Sequence, residues 1–359
     1  MKPATHRGAT TRVLVVDDAS GDLLVMSTTL SSIAGMEVAG LVASVGAAQR
    51  RLERGGVDVV MLDVNLPQAS CLELLQWIRR YHPEMVTLLV TGGDEAGARA
   101  EVAALLTGAD ALVVKPSGPD AGPRLKKQLA QVLKAAEART APPPRAAPSS
   151  GTLSLAQSVG PARRELIAVG ASTGGPVVLE EFLKGFPPTF TVPIVIVQHM
   201  PAAHVPHFAE MLMARSGRPG KVADDGEQVV PGRFYMAGHA KHLVVRRTRG
   251  RLTLHHDDGP EEHFCRPAVD PFFRSVAAVC GADSLGVVMT GMGGDGGAGA
   301  QALRAAGAPV VVQDEATSVV WGMPRAVVDR GAASLVAPRG ELARIVMGWT
   351  RAHDKDGKS

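Results

Sequence analysis

The sequence predicts an α/β protein of two doubly wound, mostly parallel units, the second carrying an antiparallel insertion. Three observations predict it. Short apolar runs alternate with helix-length segments in two separate series along the chain. A proline-rich stretch divides the series. Inside the second series lies a block of short alternating runs and polar turns, Gly232–Gly259.

In the first series the runs are Arg12–Val16, Glu37–Val42, Asp58–Leu62, Met85–Val90 and Ala111–Val114. Five such runs with crossovers make a parallel sheet. Leu125, Leu129 and Leu133 recur every four residues and continue a final helix to about residue 138. The first unit is therefore expected over 1–122, with that helix reaching 138. Residues 139–163 hold Pro142, Pro143, Pro144 and Pro148 and no acidic residue, which predicts a semi-extended basic linker. The second unit is expected over 164–352, with a polar tail at 353–359. Its parallel strands are expected at Glu165–Gly170, Pro193–Gln198, Leu285–Thr290 and Pro309–Gln313.

Composition narrows the function. The chain has 359 residues, enough for two domains, and 45% hydrophobic residues, enough for two cores. Its net charge of +3 and the lack of a basic stripe interleaved with aromatics argue against nucleic-acid binding. Cys71, Cys265 and Cys280 are odd in number and lack a metal spacing, so a reducing, cytoplasmic location is expected. The N-terminus has no apolar core, and no apolar run is long enough to span a membrane.

Asp17 and Asp18 follow the first strand, Asp63 the third, Thr91 the fourth and Lys115 the fifth. All five fall on the carboxyl edge of a parallel sheet, where open α/β folds place their sites. A single aspartate there is commonly a helix cap or turn residue. Three clustered carboxylates instead call for a cation, and oxygen ligands suit Mg²⁺. One carboxylate can then attack a phosphoryl donor while the metal and Lys115 neutralise the transferred oxygens.

The second unit opens with "GASTGGP". Gly170, Ser172 and Gly174 satisfy G-x-S-x-G, a turn that lifts a serine at the head of a helix. A dinucleotide-dependent reductase is the rival reading of the glycines. It needs an acid closing the second strand, where this chain has Gln198-His199. Asp295 lies in "TGMGGDGG" beyond the third strand. Ser172, His199 and Asp295 thus reach one sheet edge as candidate nucleophile, base and orienting acid. The order Ser–His–Asp differs from the Ser–Asp–His order of α/β-hydrolases. His204 and His207 lack a zinc spacing, and His255, His256 and His263 are expected to be solvated.

The first unit, over about residues 10–120, resembles the receiver domain of two-component response regulators. The resemblance implies a flavodoxin-like fold with Asp63 as phosphoacceptor. It also implies Mg²⁺ on Asp17, Asp18 and Asp63, with Thr91 and Lys115 contacting the phosphoryl group. Leu112 stands where that family usually has an aromatic residue, and Cys71 where it usually has glycine.

The second unit resembles the catalytic domain of the chemotaxis protein-glutamate methylesterases. The matching stretches are "GASTGGP", "QHMP", "RPAVDPFFRSVA", "TGMGGDG" and "QDEATSVVWGMPRA". This resemblance implies Ser172, His199 and Asp295 as catalytic residues, with the Met292 N–H and the loop at Thr173 binding the oxyanion. It implies phosphorylation-regulated hydrolysis of glutamate γ-methyl esters on chemoreceptors, with deamidation of receptor glutamines as a second activity. The chemotaxis histidine kinase would be the phosphodonor, and hydrolysis would need no cofactor. The contrasting expectation is a response regulator whose second domain is a non-catalytic docking module.

Overall fold

Val13–Val16 and Val59–Leu62 are unbroken apolar runs, Val86–Val90 is interrupted only by Thr87, and all are buried along their length. Such runs form inner parallel strands, where both sheet faces are covered. They belong to β1 (Thr11–Val16), β3 (Val59–Asp63) and β4 (Val86–Thr91), joined by β2 (Met36–Val42) and β5 (Ala111–Val114). The order β2-β1-β3-β4-β5 is parallel throughout. Helices α1 (Ser20–Ser31), α2 (Val45–Glu53), α3 (Gln68–Tyr81) and α4 (Ala98–Thr107) make the crossovers. The winding direction reverses between β1 and β3, which opens a crevice at their carboxyl ends.

This computed structural model describes residues 10–66, 68–92, 97–115, 122–123, 125–126, 129–130 and 159–350. Leu125 and Leu129 are buried, in keeping with their four-residue spacing. The expected continuation of the final helix over 131–138, the linker up to 158 and the tail at 353–359 lie outside the described residues. The chain divides into two compact units, Met1–Pro142 and Pro143–Ser359.

The second unit is built on a seven-stranded sheet, ordered β15-β14-β13-β6-β7-β10-β8. The strands are β6 (Leu166–Ala171), β7 (Ile194–Gln198), β8 (Gly220–Val222), β10 (Phe234–Met236), β13 (Ser284–Val288), β14 (Val310–Gln313) and β15 (Leu335–Ala337). All pair in parallel. Its helices are α5 (Gly175–Lys184), α6 (Val205–Ser216), α7 (Val269–Cys280), α8 (Gly297–Ala305), α9 (Gly322–Asp329) and α10 (Leu342–Gly348). A large core holds Phe272, Phe273 and Val276 of α7 with Leu166, Val195, Val288 and Val310 of the sheet. Each such side chain stabilises the fold by about 1.5–3 kcal/mol.

A small antiparallel sheet of β11 (His242–Thr248), β12 (Arg251–Asp257) and β9 (Glu227–Gln228) forms the insertion. It is narrower than the sequence suggests. Phe234, Tyr235 and Met236 fall within the predicted antiparallel block, yet they form β10 between β7 and β8, in parallel with both. All three side chains are buried, which suits an inner parallel strand rather than a half-solvated hairpin.

Candidate active site

The first unit gathers its carboxylates at the β1/β3 crevice. Asp17, Asp18 and Asp63 each offer an oxygen, all within 4.8 Å of one another. Asp17 and Asp63 are buried and Asp18 is exposed. Local turns aim the two buried groups. Asp17 Oδ1 accepts from the Ala19 N–H at 2.9 Å, and Asp63 Oδ2 from the Asn65 N–H at 3.1 Å. Lys115 Nζ reaches Asp17 Oδ2 and Asp63 Oδ1, both at 3.3 Å. Burial raises the Asp63 pKa, Lys115 opposes that, and the charge of Asp17 adds to the rise. Burial opposes the charge on Lys115, but its bond to Asp22 and the charges of Asp63 and Asp17 outweigh it, so its pKa is raised.

Three neighbours of this site were not foreseen from sequence. Asp22, in the first turn of α1, holds Lys115 Nζ at 2.5 Å. Thr91 stands at the end of β4, but its hydroxyl donates to buried Glu101 of α4 at 2.5 Å. Burial, with the nearby charge of Asp63, pushes the thiol of Cys71 in α3 up to about 12. An aspartate one turn into α1 was the available signal for Asp22. Nothing in the spacing of Glu101 marked it as a partner for Thr91.

In the second unit the register delivers the predicted residues. Ala171 of β6 pairs with Gln198 of β7, so Ser172 and His199 leave neighbouring strands at the same level. The His199 N–H donates to Ala171 O at 3.0 Å, and the Ser172 N–H to Thr290 O at 3.1 Å. The third loop, Thr290–Asp295, follows β13, which lies on the other side of β6. The winding direction reverses between β6 and β13, so the three loops meet at the switch point of the sheet.

Ser172 sits in a turn made tight by glycine. Gly174 caps α5 at φ +77°, and a Cβ there would lie 2.4 Å from Val319. The Gly175 N–H closes the turn on Ser172 O at 2.8 Å. Gly291 packs so closely against Ser172 that a Cβ would lie 2.9 Å from the serine Cβ. Gln198 Nε2 donates to both Ser172 O and His199 O, at 2.9 and 3.0 Å, and so ties the two loops together. Ser172 Oγ makes no hydrogen bond among the described residues, His199 included. The N–H groups of Thr173 and Met292 likewise donate to no backbone carbonyl among the described residues.

His199 and Asp295 are in direct contact, Nε2 to Oδ2 at 2.8 Å. Asp295 is buried and accepts three more hydrogen bonds, all from backbone. Val269 N donates to Oδ2 at 2.6 Å, and Asp270 N and Gly296 N to Oδ1 at 2.8 and 2.9 Å. Burial works against its charge, but the His199 contact and these N–H groups prevail and lower its pKa. Burial also works against the charge on His199. The hydrogen bond with Asp295, helped by the nearness of Cys265, overrides it and holds the imidazole at about 9.

Cys265 at the histidine was not foreseen, because sequence spacing gives no sign of it. The expectation of solvated histidines needs correction for His255 and His256, which are half-buried, whereas His263 is exposed as expected. His255 and His256 lie within β12, where His256 Nε2 contacts Ala223 O at 3.1 Å. His263 Nε2 bonds buried Asp270 at 2.9 Å. The exposed turn that carries it also reaches the end of α7, whose Asp270 carboxylate gives the imidazole a partner.

Fold and site define a hydrolase of α/β architecture preceded by a receiver domain. Comparison with known proteins agrees. The response regulator receiver domain family matches residues 13–125, and the CheB methylesterase family matches residues 167–346. The chain is 38% identical over 346 residues to protein-glutamate methylesterase/protein-glutamine glutaminase 2 of Caulobacter vibrioides, covering 95% of this chain and 99% of that one. It is 37% identical over 336 residues to protein-glutamate methylesterase/protein-glutamine glutaminase 4 of Anaeromyxobacter dehalogenans, covering 94% of each. The CheB methylesterase catalytic domain of Thermotoga maritima superposes with a TM-score of 0.50 at 34% identity, covering 52% of this chain and all of that one. The chain belongs to the CheB methylesterase family: it is a carboxylic ester hydrolase of the response-regulator type.

Proposed function

We propose that the protein hydrolyses glutamate γ-methyl esters on chemoreceptors and that phosphorylation of Asp63 controls the rate. The observation that carries the hydrolytic reading is the His199–Asp295 contact of 2.8 Å, on loops flanking the Ser172 turn at one sheet edge. Ser172 Oγ attacks the ester carbonyl and His199 takes its proton. The N–H groups of Thr173 and Met292 receive the oxyanion. The imidazolium then protonates the departing methoxide, which leaves as methanol and gives an acyl-enzyme. A water deprotonated by His199 releases the free glutamate and restores Ser172. The same acyl chemistry on a glutamine side chain releases ammonia, as the names of the relatives suggest.

His199 Nε2 is committed to Asp295, so Nδ1 is the nitrogen that serves Ser172. The imidazole acts as a base only when neutral. With its pKa held near 9, the rate rises with pH up to that value.

In the receiver the fit to Mg²⁺ rests on three carboxylates with oxygens within 4.8 Å. These are hard donors, and Asp63, one of the two buried members, has a raised pKa that a cation would relieve. Asp17, Asp18 and Asp63 would hold the ion, which would neutralise the phosphoryl oxygens. Asp63 Oδ1, faced by Lys115 at 3.3 Å, would accept the group. Thr91 must exchange Glu101 for the phosphoryl group if it is to contact it. The chemotaxis histidine kinase is the proposed donor. Three free cysteines suit a cytoplasmic setting, and no helix among the described residues is long and apolar enough to cross a membrane.

The deciding experiment is methanol release from methylated receptor membranes, with and without a small-molecule phosphodonor. Release that needs Ser172 and rises with the phosphodonor is expected. No release in either condition rejects the substrate. Release indifferent to the donor rejects the control.

A further inference from the structure

Asp270 and Asp295 are buried together, and their ligand atoms lie with that of His263 within 4.8 Å. Every oxygen in this pair of carboxylates already has a donor. Asp295 is held by His199 and three backbone N–H groups. Asp270 Oδ1 accepts from Gly299 N at 2.6 Å, and Oδ2 faces His263 Nε2 at 2.9 Å. The cluster is therefore a hydrogen-bonded chain rather than a metal shell. It runs His263–Asp270–Asp295–His199, its middle step the N–H of Asp270 on Asp295.

Two of the donors on Asp295 are first-turn amides of α7. The end of that helix thus places the carboxylate that bonds His199. Asp270 is itself in the first turn, so whatever fixes its side chain fixes those amides.

His263 sits in an unusual turn. Glu262 and Cys265 exchange two backbone hydrogen bonds, of 3.2 and 2.9 Å. Between them His263 and Phe264 both adopt left-handed backbone, φ +53° and +62°. Histidine tolerates that conformation, but two such residues in succession, one of them the bulky Phe264, hold it only where their surroundings enforce it. Three side chains of the turn supply the enforcement. Glu262 pairs with Arg274 of α7, one contact being 3.1 Å. His263 bonds Asp270. Cys265 lies near enough to the His199 imidazole to act on its charge.

We propose that the Glu262–Cys265 turn is a strap that positions the His199–Asp295 pair, with His263 as the positioning residue. This rests on the reading of those two as catalytic. His263 does not reach the reacting atoms. It locks Asp270, the locked helix end orients Asp295, and the anchored turn keeps Cys265 against the His199 ring.

The test uses the full-length protein and the variants His263→Ala and His263→Gln, the latter keeping an N–H donor at similar reach. One readout is the rate at which a fluorophosphonate labels Ser172 across pH, which needs no natural substrate. The other is alkylation of Cys265 by iodoacetamide under native conditions. It is readable because Cys71 and Cys280 are buried. A misplacement of about 1 Å costs on the order of 10²-fold in rate, so His263→Ala is expected to slow labelling at least ~10-fold. It should also move the pH midpoint downward and quicken Cys265 alkylation, and His263→Gln should restore most of each. Unchanged labelling in His263→Ala, or equal damage in both variants, would overturn the proposal. If the wild type is not labelled, the nucleophile reading fails. The alkylation rates then decide the strap by themselves, equal rates in wild type and His263→Ala refuting it.

Discussion

Asp295→Asn is the substitution whose consequences the structure specifies most fully. The carboxylate has two donors on each oxygen: Val269 N and His199 on Oδ2, Asp270 N and Gly296 N on Oδ1. An amide must turn its NH₂ toward one of these pairs. Facing Asp270 and Gly296 it meets two N–H donors, and leaving buried donors unmet costs about 1–3 kcal/mol each. Facing His199 it meets one, and it donates to Nε2. The ring proton then moves to Nδ1, the nitrogen that must accept from Ser172. The second orientation strands fewer donors and is therefore favoured, and it leaves the serine without a base; a comparable loss of tautomer in a serine protease costs on the order of 10⁴ in kcat.

The pH dependence follows from the same contact. His199 stands at about 9 against an ordinary 6.5. At 1.36 kcal/mol per pH unit that difference is worth roughly 3 kcal/mol. A base whose pKa is raised on folding stabilises the fold fully below its unfolded pKa and loses that stability as pH rises through the folded one. The wild type should thus lose up to ~3 kcal/mol between pH 6.5 and 9 from this group. Asp295→Asn should show a much flatter profile in that window and a rate limb moved to lower pH. Urea titrations at pH 6.5 and 9, paired with initial rates of methanol release from pH 6 to 10, measure both effects. An Asn variant that kept the wild-type rate limb near pH 9 would show that Asp295 does not hold the imidazole.

Other substitutions test separate parts of the molecule. Ser172→Ala should abolish methanol release yet change stability by less than about 0.5 kcal/mol, because the lost hydroxyl makes no hydrogen bond; unfolding curves and rates together check it. Asp63→Asn should end radiolabel uptake from a phosphorylated kinase. It should not lower the melting temperature at neutral pH, since it removes a buried charge that burial and Asp17 disfavour. Deleting residues 1–150 leaves nearly all of the second compact unit. It should give a folded esterase faster than the unphosphorylated full-length chain, checked by methanol release at equal concentration without phosphodonor. Equal rates would remove inhibition by the receiver from the account.

The parallel strands were legible because inner strands read as continuous apolar runs, and the strand-end rule then carried Asp17, Asp63, Ser172 and His199 to the correct edges. Phe234–Met236 was misread because three residues beside polar turns carry too little pattern to separate an inner strand from a hairpin arm. Leu335–Ala337 and Gly220–Val222 were missed for the same reason, being short and at the sheet margins. The partners of the site residues were the least visible. Cys265, His263 and Asp270 reach His199 and Asp295 through a turn in left-handed backbone that glycine or asparagine would have announced, and here neither is present. Glu101 against Thr91 is a pairing between one helix and one strand end that only the packed fold reveals.

The loops that meet at the second sheet's switch point also impose an order on biosynthesis. Ser172 and His199 leave the ribosome early in the second unit, but Asp295 and the β13 strand that carries it are made much later. Until β13 adds to β6, the serine turn lacks the Thr290 carbonyl that anchors its N–H. The receiver's own acidic crevice is complete once Lys115 has emerged. Domains generally fold as units from the N-terminal end during synthesis. A nascent chain halted in the second half would thus have its acidic crevice while its hydrolytic edge was still unformed. The esterase edge is therefore complete only once β13 and the loop to Asp295 have been made.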